Sequence, residues 1–168
     1  MFETISSNLQ LQMVFKLILA MLLGVIIGME RKRWKKPAGG RTFMLISLGS
    51  CLFTLVSLES AMLLTTGVPV DPTRIASNIL TGIGFIGAGV IMHKADKVEG
   101  VTSAAAIWMT AAIGMAVAFN LYLLAVAATI LAEIGLNFSY ATRKFLEHNH
   151  DNQPPLFYKK EDEEPPAI

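Results

Sequence analysis

Charge is scarce in this sequence, and so is cysteine. Asp, Glu, Lys and Arg make up 16% of the 168 residues, against 53% hydrophobic residues and a mean hydropathy of +0.52. Ordinary soluble domains carry about 25% charged residues. That shortfall excludes the ordinary soluble class and indicates a polytopic membrane protein with one domain. Cys51 is the single cysteine, which excludes an intrachain disulfide and a cysteine-cluster metal site. The chain lacks a nucleophile–base pairing at useful spacing, a phosphate loop in a usable context and a metal motif. Catalysis is therefore not expected, and neither is a cofactor. Nothing in the composition suits a nucleic-acid binder. Residues 1–10 lack the basic n-region of a signal peptide, and the next apolar run lacks a small-x-small cleavage site, so that run should remain in the protein.

What the chain does have is long apolar runs. Five are expected to be membrane helices, at about 11–29, 43–63, 75–92, 101–119 and 121–141. The expected class is thus all-α. Residues 1–10 form an N-terminal segment, 11–141 a five-span membrane domain and 142–168 a disordered tail too polar to bury a core. The charges are bunched between the runs. Loops at 30–41 and 93–100 and the segment after span five hold Arg31, Lys32, Arg33, Lys35, Lys36, Arg41, Lys94, Lys97, Arg143 and Lys144, whereas the other side holds only Arg74. The positive-inside rule then puts the N-terminus outside and the C-terminus in the cytoplasm.

The third run, from Asp71 to Met92, is the one the others are expected to surround. Its Gly82-Ile-Gly84-Phe-Ile-Gly87 matches the letters of a dinucleotide fingerprint. It lacks the strand and polar turn that phosphate binding requires, so that reading is rejected. At 100° per residue, Ile79, Ile83, Ile86 and Val90 fall on one side, suited to lipid or large apolar neighbours. Ser77, Gly84, Gly87 and Ala88 share a second side, and Asn78, Gly82 and Gly89 a third. Two faces of small residues predict two close neighbours and a central position. Asp71 is a suitable N-cap with Pro72 following it. In span one, Ala20, Gly24 and Gly28 make a small-residue stripe suited to packing on another helix. Thr42 can cap span two, whose Ser47, Ser50, Thr54 and Ser57 can bond back to the preceding turn or across to neighbours. Span four is rich in alanine and includes Gly114. Asn120 marks a tight turn into span five, giving an antiparallel pair.

Ionisable groups inside the membrane are Lys16, Glu59 and Glu133, functional candidates by default with ion pairing as the alternative. Helix rise places Lys16 and Glu59 at similar depth, and a pairing between them is expected. A magnesium path needs several oxygen ligands. Two carboxylates per chain could supply those only in an oligomer, so metal residues stay unassigned. His148, His150 and Asp151 in the tail could bind a metal but lack further ligands. The basic loop with Trp34 reads first as a topology determinant and alternatively as a surface for anionic lipid or a partner. The surplus of small-residue faces predicts a homo-oligomer, a dimer being the simplest, whose paired loops form a basic platform.

Several ordered motifs now form a pattern. Gly28-Met-Glu30-Arg31, Lys36-Pro-Ala-Gly-Gly-Arg41-Thr42, Asp71-Pro-Thr-Arg74-Ile-Ala, Gly82-Ile-Gly-Phe-Ile-Gly-Ala-Gly-Val-Ile91, Gly100-Val-Thr-Ser-Ala-Ala with Trp108, and Ala111-Ala-Ile-Gly114 resemble the MgtC/SapB family of bacterial inner-membrane proteins. The resemblance covers about residues 17–119 and, more loosely, span five. It implies a small multi-span protein linked to growth at low magnesium and, in pathogens, to survival inside macrophages. It implies action by binding other membrane proteins, the F-type ATP synthase among them. The alternative is an ion or small-solute transporter, or a subunit of one. The best-known member has a soluble C-terminal domain of the ACT type. This sequence shows only a short tail there, and it carries Thr102 where that member has Asn and Glu99 where it has Arg; it looks closer to the short SapB-like branch. Glu30, Arg41, Asp71 and Arg74, which match family motif positions, together with Arg31, Arg33, Thr42, Asn78, Thr102 and Glu133, are the functional candidates; capping and loop pairing are the alternative roles of the first four. Gly24, Gly28, Gly82, Gly84, Gly87 and Gly89 are the helix-packing candidates.

The charge asymmetry yields one outcome to check. A reporter fused after Ala141 should be active only as a cytoplasmic reporter; periplasmic activity at that position contradicts the orientation.

Overall fold

The computed structural model describes residues 2–34, 36–63, 71, 73–94 and 97–150. Five helices and a small hairpin follow one another along the chain. They are α1 (Phe2–Arg33), α2 (Gly40–Leu63), α3 (Arg74–Val90), β1 (Met92–Lys94), β2 (Lys97–Glu99), α4 (Val101–Ala118) and α5 (Tyr122–His150). The chain divides into two units, Met1–Ile134 and Gly135–Ile168. The described part of the second is the continuation of α5 to His150.

Among the described residues, three helical stretches are long and apolar enough to cross a membrane: Asn8–Arg33, Gly40–Met62 and Val101–Ala118. Ala76–Val90 and Tyr122–Phe138 are apolar but shorter. Five membrane spans were expected; among the described residues five helices are present, three of spanning length and two shorter. At ~1.5 Å per residue the 17 residues of α3 reach only ~25 Å, short of the ~30 Å hydrocarbon core.

The first unit is held by α1, α2 and α4, which pack on one another, with α3 laid against α4 and α2. The core is made of small and medium side chains. Ala20, Ile27, Phe43, Cys51, Ile107, Ala111, Ile113 and Val117 are buried, together with the hydroxyls of Ser47, Thr54, Ser103 and Thr110. Backbones meet directly at three glycines. A Cβ on Gly24 would lie 2.6 Å from the Phe43 carbonyl oxygen, and one on Gly28 would lie 2.5 Å from the Gly40 Cα. On Gly114 it would lie 2.2 Å from the Ser47 carbonyl oxygen. α2 is therefore clasped between α1 and α4, a contact that any larger residue would wedge open.

Two buried threonine hydroxyls in this seam bond within their own helices, whereas the buried Ser47 Oγ has no partner among the described residues. Thr54 Oγ1 donates to the Ser50 carbonyl at 2.7 Å, and Thr110 Oγ1 to the Ala106 carbonyl at 2.8 Å. Each satisfies its polar hydrogen without a cross-helix partner, which lets the backbones close up. On α5, outside the seam, Thr129 Oγ1 donates to the Ala125 carbonyl at 2.8 Å.

Several expectations are corrected here. α1 is helical from Phe2, through the stretch expected to be a polar lead-in. α2 starts at Gly40 rather than after a Thr42 cap; the Thr42 and Phe43 N–H groups both donate to the Gly39 carbonyl. α3 starts at Arg74 with Thr73 at its N-cap, not Asp71. Pro72 and the loop at 64–70 lie outside the described residues. The loop at 93–100 is an antiparallel hairpin, Met92 opposite Glu99 and His93 opposite Val98. Gly100 closes it with φ 96°, and a Cβ there would meet the Val90 carbonyl at 2.1 Å, so both the conformation and the space require glycine. α5 continues as helix to His150, past the expected start of the tail, and residues 151–168 lie outside the described residues.

The turn expected at Asn120 is present and has a defined form. Asn120 takes φ 64°, the Asn120 N–H donates to the Val117 carbonyl, and the Leu121 N–H donates to the Ala116 carbonyl. That pair of bonds with a left-handed Asn is a Schellman cap. The pairing expected between Lys16 and Glu59 gives way to another partner: Lys16 Nζ donates to the Ala118 carbonyl at 3.4 Å. Carbonyls at a helix C-terminus lack intrahelical donors and carry the negative end of the dipole, so they compete well for an ammonium.

α3 also differs from its expected central role. Its buried side follows Ala76, Ile83 and Gly87. A Cβ on Gly87 would touch Ala104 at 3.5 Å, whereas Gly82, Gly84 and Gly89 face open space. One face of α3 is packed and the rest is free. Ile83, placed by periodicity on the lipid side, belongs to the packed face because it lies only 40° from Gly87 around the helix.

A graded outcome follows. Gly28→Val and Gly114→Val should each lower the thermal midpoint in detergent, through ~1–3 kcal/mol of overpacking or more. Gly84→Val should leave it within the scatter of wild type, as read by circular dichroism. Equal loss at all three positions contradicts the packing described.

Candidate functional site

Two places gather the polar residues that the sequence singled out. The first is the C-terminal end of α1. Glu30 and Arg31 are only 8% and 2% exposed, so both charges have been removed from water. They compensate each other in a fork: Arg31 Nη2 donates to Glu30 Oε1 at 3.0 Å, and Arg31 Nε donates to Glu30 Oε2. Bidentate geometry is what makes a buried pair tolerable. Arg31 Nη1, also buried, has no acceptor among the described residues.

The chain wraps this pair closely. Past Arg33 the Trp34 N–H donates to the Glu30 carbonyl at 3.3 Å and the Lys36 N–H to the Arg31 carbonyl at 3.1 Å. Ala38 is buried, and Gly40 then lies on Gly28, one half-turn before the pair. The basic loop is thus a folded clasp joining α1 to α2. Its exposed charges include Lys32, Arg33 and Lys36.

The second place is a groove of about 720 Å³ between α2 and α3. From α2 it is lined by Arg41, Thr42, Leu45, Ile46, Gly49, Ser50 and Phe53. Asn78, Ile79, Gly82, Ile83 and Ile86 line it from α3. Arg41 and Thr42 of one motif, Gly82 of another, and the candidate Asn78 therefore converge on one feature.

The remaining candidates stay apart. Asp71 is exposed ahead of α3 and accepts hydrogen bonds from the Thr73 hydroxyl at 2.7 Å and the Thr73 N–H at 2.8 Å. Those bonds, the hydroxyl's first, hold its carboxyl below the usual range, because both favour the ionised form. Arg74 is exposed at the start of α3, Arg33 on the last turn of α1 and Thr102 on the first turn of α4. Glu133 is half-buried on α5. The side chains of His148 and His150, and all of Asp151, lie outside the described residues. Sequence reasoning passed over Gly49 as a groove residue and, although Gly114 ends one of the family motifs, left it out of the helix-packing candidates. An isolated glycine in an alanine-rich helix was the available signal for Gly114.

A helical bundle with three spanning-length apolar helices among the described residues, the first two joined by a basic clasp, defines an integral membrane protein. Residues 17–145 match the model of the MgtC family, and the chain belongs to that family. It is 39% identical over 148 residues to the "Putative magnesium transporter YhiD" of Escherichia coli K12, covering 86% of this chain and 69% of that protein. An uncharacterised protein of Haemophilus influenzae is 36% identical over 146 residues, with 84% and 61% covered. Protein MgtC of Salmonella typhimurium is 41% identical over 118 residues, with 70% and 48% covered. The chain therefore spans between about half and seven-tenths of the length of these relatives. No solved structure matches it.

The buried pair gives a test by double-mutant cycle. Removing one partner of such a pair typically costs ~3–5 kcal/mol, because the other charge is left uncompensated. Glu30→Gln alone and Arg31→Met alone should each sharply reduce folded protein in the membrane. The combined Glu30→Met/Arg31→Met change should recover much of the loss. Additive losses contradict mutual compensation.

Proposed function

We propose that this protein is a regulatory membrane protein of the MgtC family, linked to adaptation to low magnesium, that acts by binding other membrane proteins rather than by catalysis. It resides in the bacterial inner membrane as a multi-pass protein, with its N-terminus outside and the basic clasp in the cytoplasm. The observation that carries this reading is the closed seam between α1, α2 and α4. Gly24, Gly28 and Gly114 bring backbones into contact there, and the hydroxyls of Thr54 and Thr110 are spent on their own helices. A seam built this way is suited to holding a fixed surface, whereas a magnesium path needs a succession of oxygen ligands free to replace hydration.

The exposed part of the clasp, with Lys32, Arg33 and Lys36, supplies that surface. It fits an acidic face of a partner at the membrane, and a two-fold dimer would present it twice. The resemblance to the family makes the F-type ATP synthase the first partner to examine. The magnesium link rests on family membership and on the name of the Escherichia coli relative. That same name favours the second reading, magnesium transport by this chain or by a complex that contains it.

The two readings separate in a purified system. Protein reconstituted alone in liposomes should give magnesium flux no greater than protein-free liposomes. Lys32→Gln with Arg33→Gln should impair growth at low magnesium while membrane abundance stays at the wild-type level. Magnesium flux that Glu133→Gln abolishes contradicts the regulatory reading and establishes transport.

A further inference from the structure

The α2–α3 groove has a different character from the seam beside it. Small residues on both its walls leave space instead of closing it. A Cβ added at Gly49 or at Gly82 would meet nothing within 4 Å, in contrast to the 2.2–2.6 Å approaches at Gly24, Gly28 and Gly114. Its volume of about 720 Å³ lies within the ~300–1,000 Å³ of small-molecule sites. Its walls are mostly apolar, and its single charged residue, Arg41, sits at the start of α2.

Dimensions and charge define what fits. From Arg41 to Phe53 the α2 wall runs ~18 Å at ~1.5 Å per residue. One leaflet of hydrocarbon is ~15 Å deep, half of a ~30 Å core. The groove thus begins at a cation and continues as an apolar channel for about the depth of one leaflet. Arg41 is exposed and has no ion-pair partner among the described residues. Beside it are the Thr42 hydroxyl, half-buried, and the first turn of α2 with the positive end of its dipole. Guanidinium, hydroxyl and helix N-terminus together suit a phosphate diester.

We propose that this groove is a binding site for one anionic phospholipid, with the phosphate at Arg41 and Thr42 and an acyl chain lying over Gly49 and Gly82. A helix from a second copy is a poorer occupant. At ~10–12 Å across, it would fill roughly 1,400 Å³ or more over this length, about twice the groove, and would set an apolar surface against Arg41. The site stands independently of the regulatory reading, since a transporter could hold such a lipid equally well.

Photo-labelling of the full chain in phosphatidylcholine nanodiscs tests the assignment. The probe is phosphatidylglycerol with a photoreactive group at the end of one acyl chain, and labelled residues are located by mass spectrometry. Label should concentrate on Phe53 and Ile79. Unlabelled phosphatidylglycerol should compete about fivefold better than phosphatidylcholine, the preference that one well-placed basic residue provides, and inorganic phosphate should not compete. Arg41→Gln should bring the two lipids level. Gly82→Leu, which fills open space, should abolish the labelling with helicity unchanged. Label spread evenly over the exposed apolar residues of α1, α4 and α5 in the wild-type protein overturns the site, whatever the variants do. Equal competition by the two lipids, competition by inorganic phosphate alone, or a protein–protein adduct through the groove overturns it as well.

Discussion

Direct backbone contact at Gly24, Gly28 and Gly114 is the constraint on which the bundle depends. In a bilayer, apolar side chains gain little by leaving lipid for protein, so helices associate through close packing and hydrogen bonds. Three missing side chains let α2 approach α1 on one side and α4 on the other. The buried hydroxyls of Thr54 and Thr110 are satisfied within their own helices. The clasp at 31–41 has to be short and tight, because Gly40 must come down onto Gly28.

That geometry explains why a charged pair is buried at the end of α1. Where α2 folds back on α1, the residues after Gly28 are covered by the returning chain. Glu30 and Arg31 are enclosed, and bonding each other in a fork is what makes their burial tolerable. The exposed cations of the same loop lie further along, on Lys32, Arg33 and Lys36. One short segment thus has two parts, an internal lock and an external basic surface.

Much of the architecture was legible in the residues. Spans one, two and four carry enough apolar length to be read directly, and Asn120 announced its turn through its tolerance of a left-handed backbone. Periodicity failed where a helix has more than one plausible side. It places Gly82, Gly84 and Gly87 around α3 correctly but carries no information about which side has a neighbour. Only Gly87 meets one, at Ala104, and Gly82 opens onto the groove. The Glu30–Arg31 fork was hidden for a related reason: a run of basic residues after an apolar span reads as topology, and burial by a returning chain is a tertiary fact. The groove joins Arg41 and Thr42 to Asn78 and Gly82 across α2 and α3, a proximity that no local spacing encodes.

The seam can be observed without altering the protein. Solid-state NMR on the chain in lipid bilayers, with glycine labelled at Cα and serine at the carbonyl carbon, reports whether Gly114 touches the α2 backbone. A through-space correlation between Gly114 Cα and the Ser47 carbonyl carbon is the result the account predicts. An assigned spectrum in which Gly114 lacks that correlation would contradict it.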